Sequence, residues 1–127
     1  MCIRDSAAGD RVLDIAPVTS IEEIMLAQQA AIDVHASGPL REYVVAVLAH
    51  TRSDPRVELG ASPRAGLMLL KAAKASAVLD GRDHALPDDV KALAPSVLAH
   101  RLMLAPAAFG VERSEVVHEA LATVPAL

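Results

Sequence analysis

The stretch that most restricts the fold is an Ala- and Leu-rich segment between two helix-boundary signals. It begins at Ser62, a preferred N-cap residue, and Pro63, which fits the first helical position. It ends before Gly81, a residue type that commonly follows the last turn of a helix. Because its polar stripe is narrow, the segment predicts a helix from about Pro63 to Asp80 at the centre of a helical bundle.

Four further helices are expected, each from an apolar repeat and a boundary residue. The Ser20-Ile21-Glu22-Glu23 capping box starts the first, which runs to about Ile32. The others start at Ser37 and Pro39, at Pro87, and at Ser114, the last of them ending at Pro125. Between them we predict extended links at 34–36 and 102–104 and a loop at 106–110.

Two irregularities are expected around the fourth helix. Leu86 stands where a capping side chain is usual, so the start of this helix is expected to fray. Pro95 removes a backbone amide and is expected to kink the helix or to restart it.

The composition supports an all-α fold, a small bundle of about five helices. Tyr43 and Phe109 are the only aromatic residues, so the core must consist mainly of Ala, Leu, Val, Ile and Met, which favours close-packed helices over a sheet. Residues 18–127 are predicted to form this single helical domain. Residues 1–17 are predicted to be a disordered or extended lead-in, of which 1–6 resemble a non-native cloning scar.

Charge and cysteine content exclude several functional classes. The net charge of −4 leaves no basic surface for nucleic acid, and no apolar run approaches the ~18 residues of a membrane span. Five scattered histidines and the single Cys2 do not form a zinc-binding pattern, so no metal site is expected. With no secretory signal at the N-terminus, we expect the protein to be cytoplasmic.

The loop before the central helix carries the candidate binding residues. Gly60 and Ala61 precede the Ser62-Pro63 helix start, which places Arg64 in the first helical turn. A guanidinium beside the positive end of a helix dipole does not stabilise the helix. A bound phosphate would remove this conflict, because it could accept hydrogen bonds from Arg64 and from free backbone amides together.

These residues belong to a series of motifs that resembles a known family. The series is Gly60-Ala61-Ser62-Pro63-Arg64-Ala65, then Gly81-Arg82-Asp83, Pro87-Asp88-Asp89-Val90, Ala94-Pro95 and His100-Arg101-Leu102. Their order resembles the C-terminal lid domain of MoxR-type AAA+ ATPases and, more distantly, the lids of magnesium-chelatase ATPase subunits. The resemblance implies that Arg64 is the sensor-2 arginine, which contacts the phosphates of ATP, and that 60–63 position it.

The same resemblance implies a larger assembly. The complete protein would bind ATP and Mg²⁺ between an α/β core and this lid, form a ring with neighbouring subunits, six in all by the family pattern, and remodel proteins or insert metals and cofactors. Partners with von Willebrand factor A domains are implied as well. The chain itself has no G-x-x-x-x-G-K-[ST] loop or Walker-B strand, so it is expected neither to hydrolyse ATP nor to bind it tightly alone.

Two other functional classes stay open. A free-standing helical interaction module is the main alternative, with Arg64 merely completing a loop. A helix-turn-helix DNA-binding protein is disfavoured by the acidic balance.

The remaining polar motifs are interpreted as structural. Asp88 and Asp89 point to different faces of a helix and are read as helix N-terminal charges. Lys71 and Lys74 are read as a solvated stripe, and His100-Arg101 as surface or interdomain hydrogen-bond donors.

Overall fold

A computed structural model describes residues 15–126 and contains five α-helices in that range. They are α1 (Ile21–Asp33), α2 (Gly38–Ser53), α3 (Pro63–Leu79), α4 (Pro87–Leu98) and α5 (Arg113–Thr123). A short 3₁₀ turn covers Ala99–Arg101, and the strands β1 (Val57–Leu59) and β2 (Met103–Leu104) form a small sheet. The all-α prediction is confirmed. The predicted lead-in lies largely outside the described residues, and 15–17 are neither helix nor strand.

The first three helices begin as their sequences predict. Ser20 accepts a hydrogen bond from the amide of Glu23, whose carboxylate accepts one from the Ser20 amide, which completes the capping box. Ser37 and Ser62 likewise cap α2 and α3. Gly81 follows α3 with φ of 72°, a left-handed conformation that glycine adopts at low cost.

Helix α3 packs against α1, α2 and α4 through small side chains. Its buried positions are Ala65, Gly66, Leu69, Ala73 and Ala77, so neighbouring helices can approach its backbone closely. Its central position is as predicted, although Leu67 and Leu79 on its apolar surface are exposed. Some hydrophobic residues of α3 are therefore not covered by its three neighbouring helices.

The start of α4 is anchored by a side chain three residues into the helix. One carboxylate oxygen of Asp89 accepts a hydrogen bond from the Leu86 amide at 2.8 Å, and both oxygens accept from Arg82, at 2.6 and 2.9 Å. Asp89 is 7% exposed, and its contact with Arg82 lowers the pKa of its carboxyl. The expected fraying is therefore not found. Asp88 and Asp89 both lie in the first turn of α4, as predicted. Asp88 is exposed, whereas the burial of Asp89 against Arg82 was not predicted.

Helix α4 continues through Pro95 to Leu98, so it does not restart at this residue. Beyond it, the predicted surface role of His100 and Arg101 matches the structure. Both are exposed, and their side chains contact the carbonyl oxygens of Ser96 and Val97, one turn earlier.

Strands β1 and β2 pair in antiparallel fashion, with Val57 opposite Leu104 and Leu59 opposite Met103. The extended segment at 102–104 was predicted, but its pairing with 57–59 was not. A second link joins His35, in the extended segment after α1, to the loop before α4. The His35 amide donates to the Asp83 carbonyl, and the His35 carbonyl accepts from the Ala85 amide.

Helix α5 begins earlier than predicted. Its N-cap is Glu112 instead of Ser114, and the Glu115 side chain accepts a hydrogen bond from the Glu112 amide. One face of α5 is buried in the core through Val116, Val117 and Ala120.

Candidate functional site

The candidate site is the loop that joins β1 to α3, with Arg64 at its helical end. The Ser62 carbonyl accepts from the amides of Ala65 at 2.9 Å and Gly66 at 3.3 Å, and the Ser62 hydroxyl also accepts from Ala65 at 3.3 Å. Pro63 is the first helical residue, and Arg64 is the second. The loop therefore continues directly into the helix.

Close contact with the end of α2 holds this loop in place. The Ala61 amide donates to the Thr51 hydroxyl at 3.1 Å, and that hydroxyl donates to the Leu48 carbonyl at 2.8 Å. Thr51 and Ala61 are fully buried. A buried amide satisfied in this way fixes the position of the backbone beside it.

Gly60 allows the loop to approach α2 this closely. A Cβ atom at Gly60 would lie 2.6 Å from Arg52 Cγ, 2.7 Å from Arg52 Cα and 2.8 Å from Arg52 N. All three distances are shorter than a normal contact between heavy atoms. Glycine is needed here because it lacks a side chain that would collide with the helix backbone.

The side chain of Arg64 is exposed and has no hydrogen-bond or ion-pair partner within residues 15–126. Arg56 and Arg82 differ, since each donates to two carboxylates and has its pKa raised by them. The backbone amide of Arg64 also has no acceptor in the described part of the chain. Arg64 thus presents a guanidinium and an amide at the positive end of α3.

The structure brings together all five predicted site residues, Gly60, Ala61, Ser62, Pro63 and Arg64, as one loop and helix start. Sequence reasoning missed Thr51. A buried threonine in a last helical turn carries little sequence signal, because its partner lies ten residues further along the chain.

Neither a metal-binding cluster nor a membrane-spanning helix is found in the described residues. Between residues 15 and 126, no three His, Cys, Asp or Glu side chains are grouped so that they could hold a metal ion. No helix in the same range has the length and apolar character needed to cross a lipid bilayer.

Residues 41–120 match the AAA lid domain family. The chain is 40% identical over 110 residues to the YeaC protein of Bacillus subtilis, an alignment that covers 85% of this chain and 34% of YeaC. It is 35% identical over 96 residues to Chaperone MoxR1 of Mycobacterium tuberculosis, covering 68% of this chain and 26% of MoxR1.

A crystal structure of a proposed ATPase from Cytophaga hutchinsonii has a similar fold. The TM-score is 0.73 at 27% sequence identity, and the match covers 78% of this chain and 33% of the other. The chain thus spans about a third or less of the length of these three proteins. With the family match covering most of the helical region, the chain belongs to the AAA lid domain family and is a lid of the MoxR type of AAA+ ATPases.

Proposed function

We propose that this lid closes over ATP bound to a separate α/β core and that Arg64 contacts the ATP phosphates. The observation that carries the proposal is the Arg64 guanidinium at the N-terminal end of α3, which has no side-chain partner among residues 15–126. Its exposure leaves it accessible to a ligand on a neighbouring domain.

The donor set of this site fits a phosphate group. A guanidinium can donate two parallel hydrogen bonds to two phosphate oxygens, and each charge-assisted bond contributes about 1.5–3 kcal/mol. The Arg64 amide, which has no acceptor within residues 15–126, and the dipole of α3 add further attraction for an anion. When bound, ATP with Mg²⁺ supplies the phosphoryl group that is transferred to water, and this chain contributes positive charge beside it.

The rigid attachment of the loop explains how phosphate contact would be transmitted. Because Ala61 is hydrogen-bonded to Thr51 and Gly60 packs on Arg52, the loop cannot move far without moving α2. A force on Arg64 would therefore turn the lid as a unit. Contact with ATP would close the angle between lid and core, and loss of the γ-phosphate would release it, as in other hinged domain closures.

The wider role is part of the same proposal. We infer that the lid and its core work in a ring of subunits, six by the family pattern, as a chaperone-like machine that remodels proteins or helps to insert metals or cofactors. One relative carries the name chaperone. A protein with a von Willebrand factor A domain is the partner that we propose for this machine.

The test uses a polypeptide in which this lid follows its own ATPase core. We expect Arg64→Ala to lower ATP turnover by about 100- to 1,000-fold, the usual scale for removing one donor to a transition-state charge. Arg64→Lys should recover only part of the rate, because lysine cannot donate the paired hydrogen bonds.

Arg113→Ala is the matched control for this test. Arg113 is also exposed and also lies in the first turn of a helix, α5, but it is outside the candidate loop. Its loss should leave turnover unchanged. Equal turnover in Arg64→Ala and Arg113→Ala, with both lids folded by circular dichroism, would remove the proposed role of Arg64.

A further inference from the structure

An apolar trough runs along one side of the domain, between α1, α3 and α2. It consists of two adjoining grooves of about 630 and 470 Å³ that share Leu67 and Leu70. Helix α1 supplies one wall and α2 the other. The apolar residues lining it are Ala31, Ile32, Val44, Val45, Leu48, Pro63, Leu67 and Leu70.

Large hydrophobic side chains in the trough are unusually open to solvent. Ile32 is 67% exposed, Val45 59% and Leu67 63%. Apolar residues that are contiguous in a groove, instead of scattered singly, are typical of surfaces that bind another protein.

The charged residues that line the trough are all positive. They are Arg41 and Arg52 on α2 and Lys71 and Lys74 on α3, whereas no Asp or Glu is among the described residues that line either groove. None of the four has an ion-pair partner within residues 15–126, although Lys74 donates to the Ile32 carbonyl. The trough is therefore cationic on a chain whose net charge is −4.

We propose that the trough binds an acidic amphipathic helix of a partner protein. An amphipathic helix can lay its apolar face in a groove, here on Leu67, Leu70 and Val45. Carboxylates beside that face would meet the four cations. This inference does not depend on nucleotide contact by Arg64, so either proposal can fail alone.

Charge and composition disfavour other occupants. A second copy docked trough to trough about a two-fold axis would place the same cations against each other, and like charges in contact repel. Single-stranded nucleic acid generally requires aromatic side chains for base stacking, and no aromatic residue lines the described trough. A helix with an apolar face and acidic flanks matches both the apolar lining of the trough and its four cations.

The experiment uses the 127-residue chain and a synthetic helical peptide of about four turns. The peptide carries Leu at positions i, i+3, i+4 and i+7 and Glu on both flanks of that stripe, with a fluorescent label at one end. Binding is followed by fluorescence anisotropy at low and at physiological salt. A second peptide with Lys in place of every Glu is the charge control.

We expect the acidic peptide to bind at least about tenfold more tightly than the basic one, with affinity falling as salt rises. Leu67→Ser should weaken binding about tenfold, and so should the double substitution Lys71→Glu and Lys74→Glu. Leu79→Ser is the matched control, since Leu79 lies on α3, is 88% exposed and does not line the trough. Because Leu67 is also exposed, both serine variants should keep the wild-type melting curve.

Several results would overturn the proposal. These are equal binding of the two peptides, equal effects of Leu67→Ser and Leu79→Ser, or no binding at millimolar peptide. Binding to anionic lipid vesicles in preference to the peptide would assign the trough to a membrane surface. Self-association that Leu67→Ser abolishes would assign it to a second copy. A structure of the longer protein in which its own core covers Leu67 and Val45 would likewise contradict a separate partner.

Discussion

The contact between Gly60 and α2 gives the sharpest stability prediction. In Gly60→Ala, the added methyl group would lie 2.6–2.8 Å from Arg52 Cγ, Cα and N. Heavy atoms in contact are normally about 3.5–4.0 Å apart, so the loop must retreat by about 1 Å. The α2 backbone cannot yield easily, since two of the three atoms belong to a helix main chain.

Two effects are expected to lower the stability of Gly60→Ala, and a third partly offsets them. Overpacking of this kind costs about 1–3 kcal/mol. Retreat of the loop also strains the hydrogen bond from the Ala61 amide to Thr51, and a buried amide without a partner costs about 1–3 kcal/mol. Lower chain entropy in the unfolded state returns about 0.4–1 kcal/mol. We therefore expect the free energy of unfolding to fall by about 1–5.5 kcal/mol.

Urea unfolding followed by circular dichroism measures this change, and Gly38→Ala is its control. A Cβ at Gly38, the first residue of α2, would have no atom within 4 Å. That variant should equal or exceed the stability of the wild type, because alanine has the higher helix propensity. If Gly60→Ala and Gly38→Ala unfold at the same urea concentration, the close approach of the loop is not a constraint.

Three further predictions concern buried polar groups. Asp89→Asn should lower the free energy of unfolding by about 2–3 kcal/mol in urea melts, because Arg82 loses a charged acceptor; an unchanged midpoint would contradict the anchoring role. The Asp89 carboxyl has its pKa lowered from 3.8 in the folded state, so its stabilisation is complete above that value and is lost as pH falls through the lower folded pKa. Melts between pH 5 and 2 should therefore show a smaller loss of stability in Asp89→Asn than in the wild type, and parallel curves would refute this. Thr51→Val should cost about 1–3 kcal/mol by leaving the Ala61 amide unpaired, whereas Thr51→Ser should retain most of the wild-type stability.

The helical bundle could be predicted because its signals are local. Ser20, Ser37 and Ser62 each precede an apolar repeat, and each caps the helix that was expected. The candidate loop was predicted for the same reason, since its five residues are consecutive and the helix start fixes where Arg64 lies.

The features that were missed depend on contacts that no single continuous motif records. Pairing of 57–59 with 103–104 joins strands of three and two residues, which are too short to show an alternating pattern. The burial of Asp89 depends on Arg82 across a turn, and the attachment of the loop depends on Thr51. At α5, Ser114 was the expected cap, whereas the N-cap residue is Glu112, whose amide donates to the Glu115 side chain three residues later.

The exposed hydrophobic residues of α1 and α3 could not be anticipated either. Their spacing predicts that one helix face is buried. It does not distinguish burial by another part of the chain from burial by a partner. In the structure, α1 has no buried residue, so packing within the described chain does not explain its apolar stripe.

The most direct test of Arg64 is a structure of this lid joined to its ATPase core with a non-hydrolysable ATP analogue and Mg²⁺. We predict that the Arg64 guanidinium lies about 2.7–2.9 Å from oxygens of the nucleotide phosphates. Residues 60–63 should keep the conformation described above, held on Thr51 and Arg52. A closed lid in which Arg64 points into solvent, or in which another arginine of the lid binds the phosphates, would contradict the account.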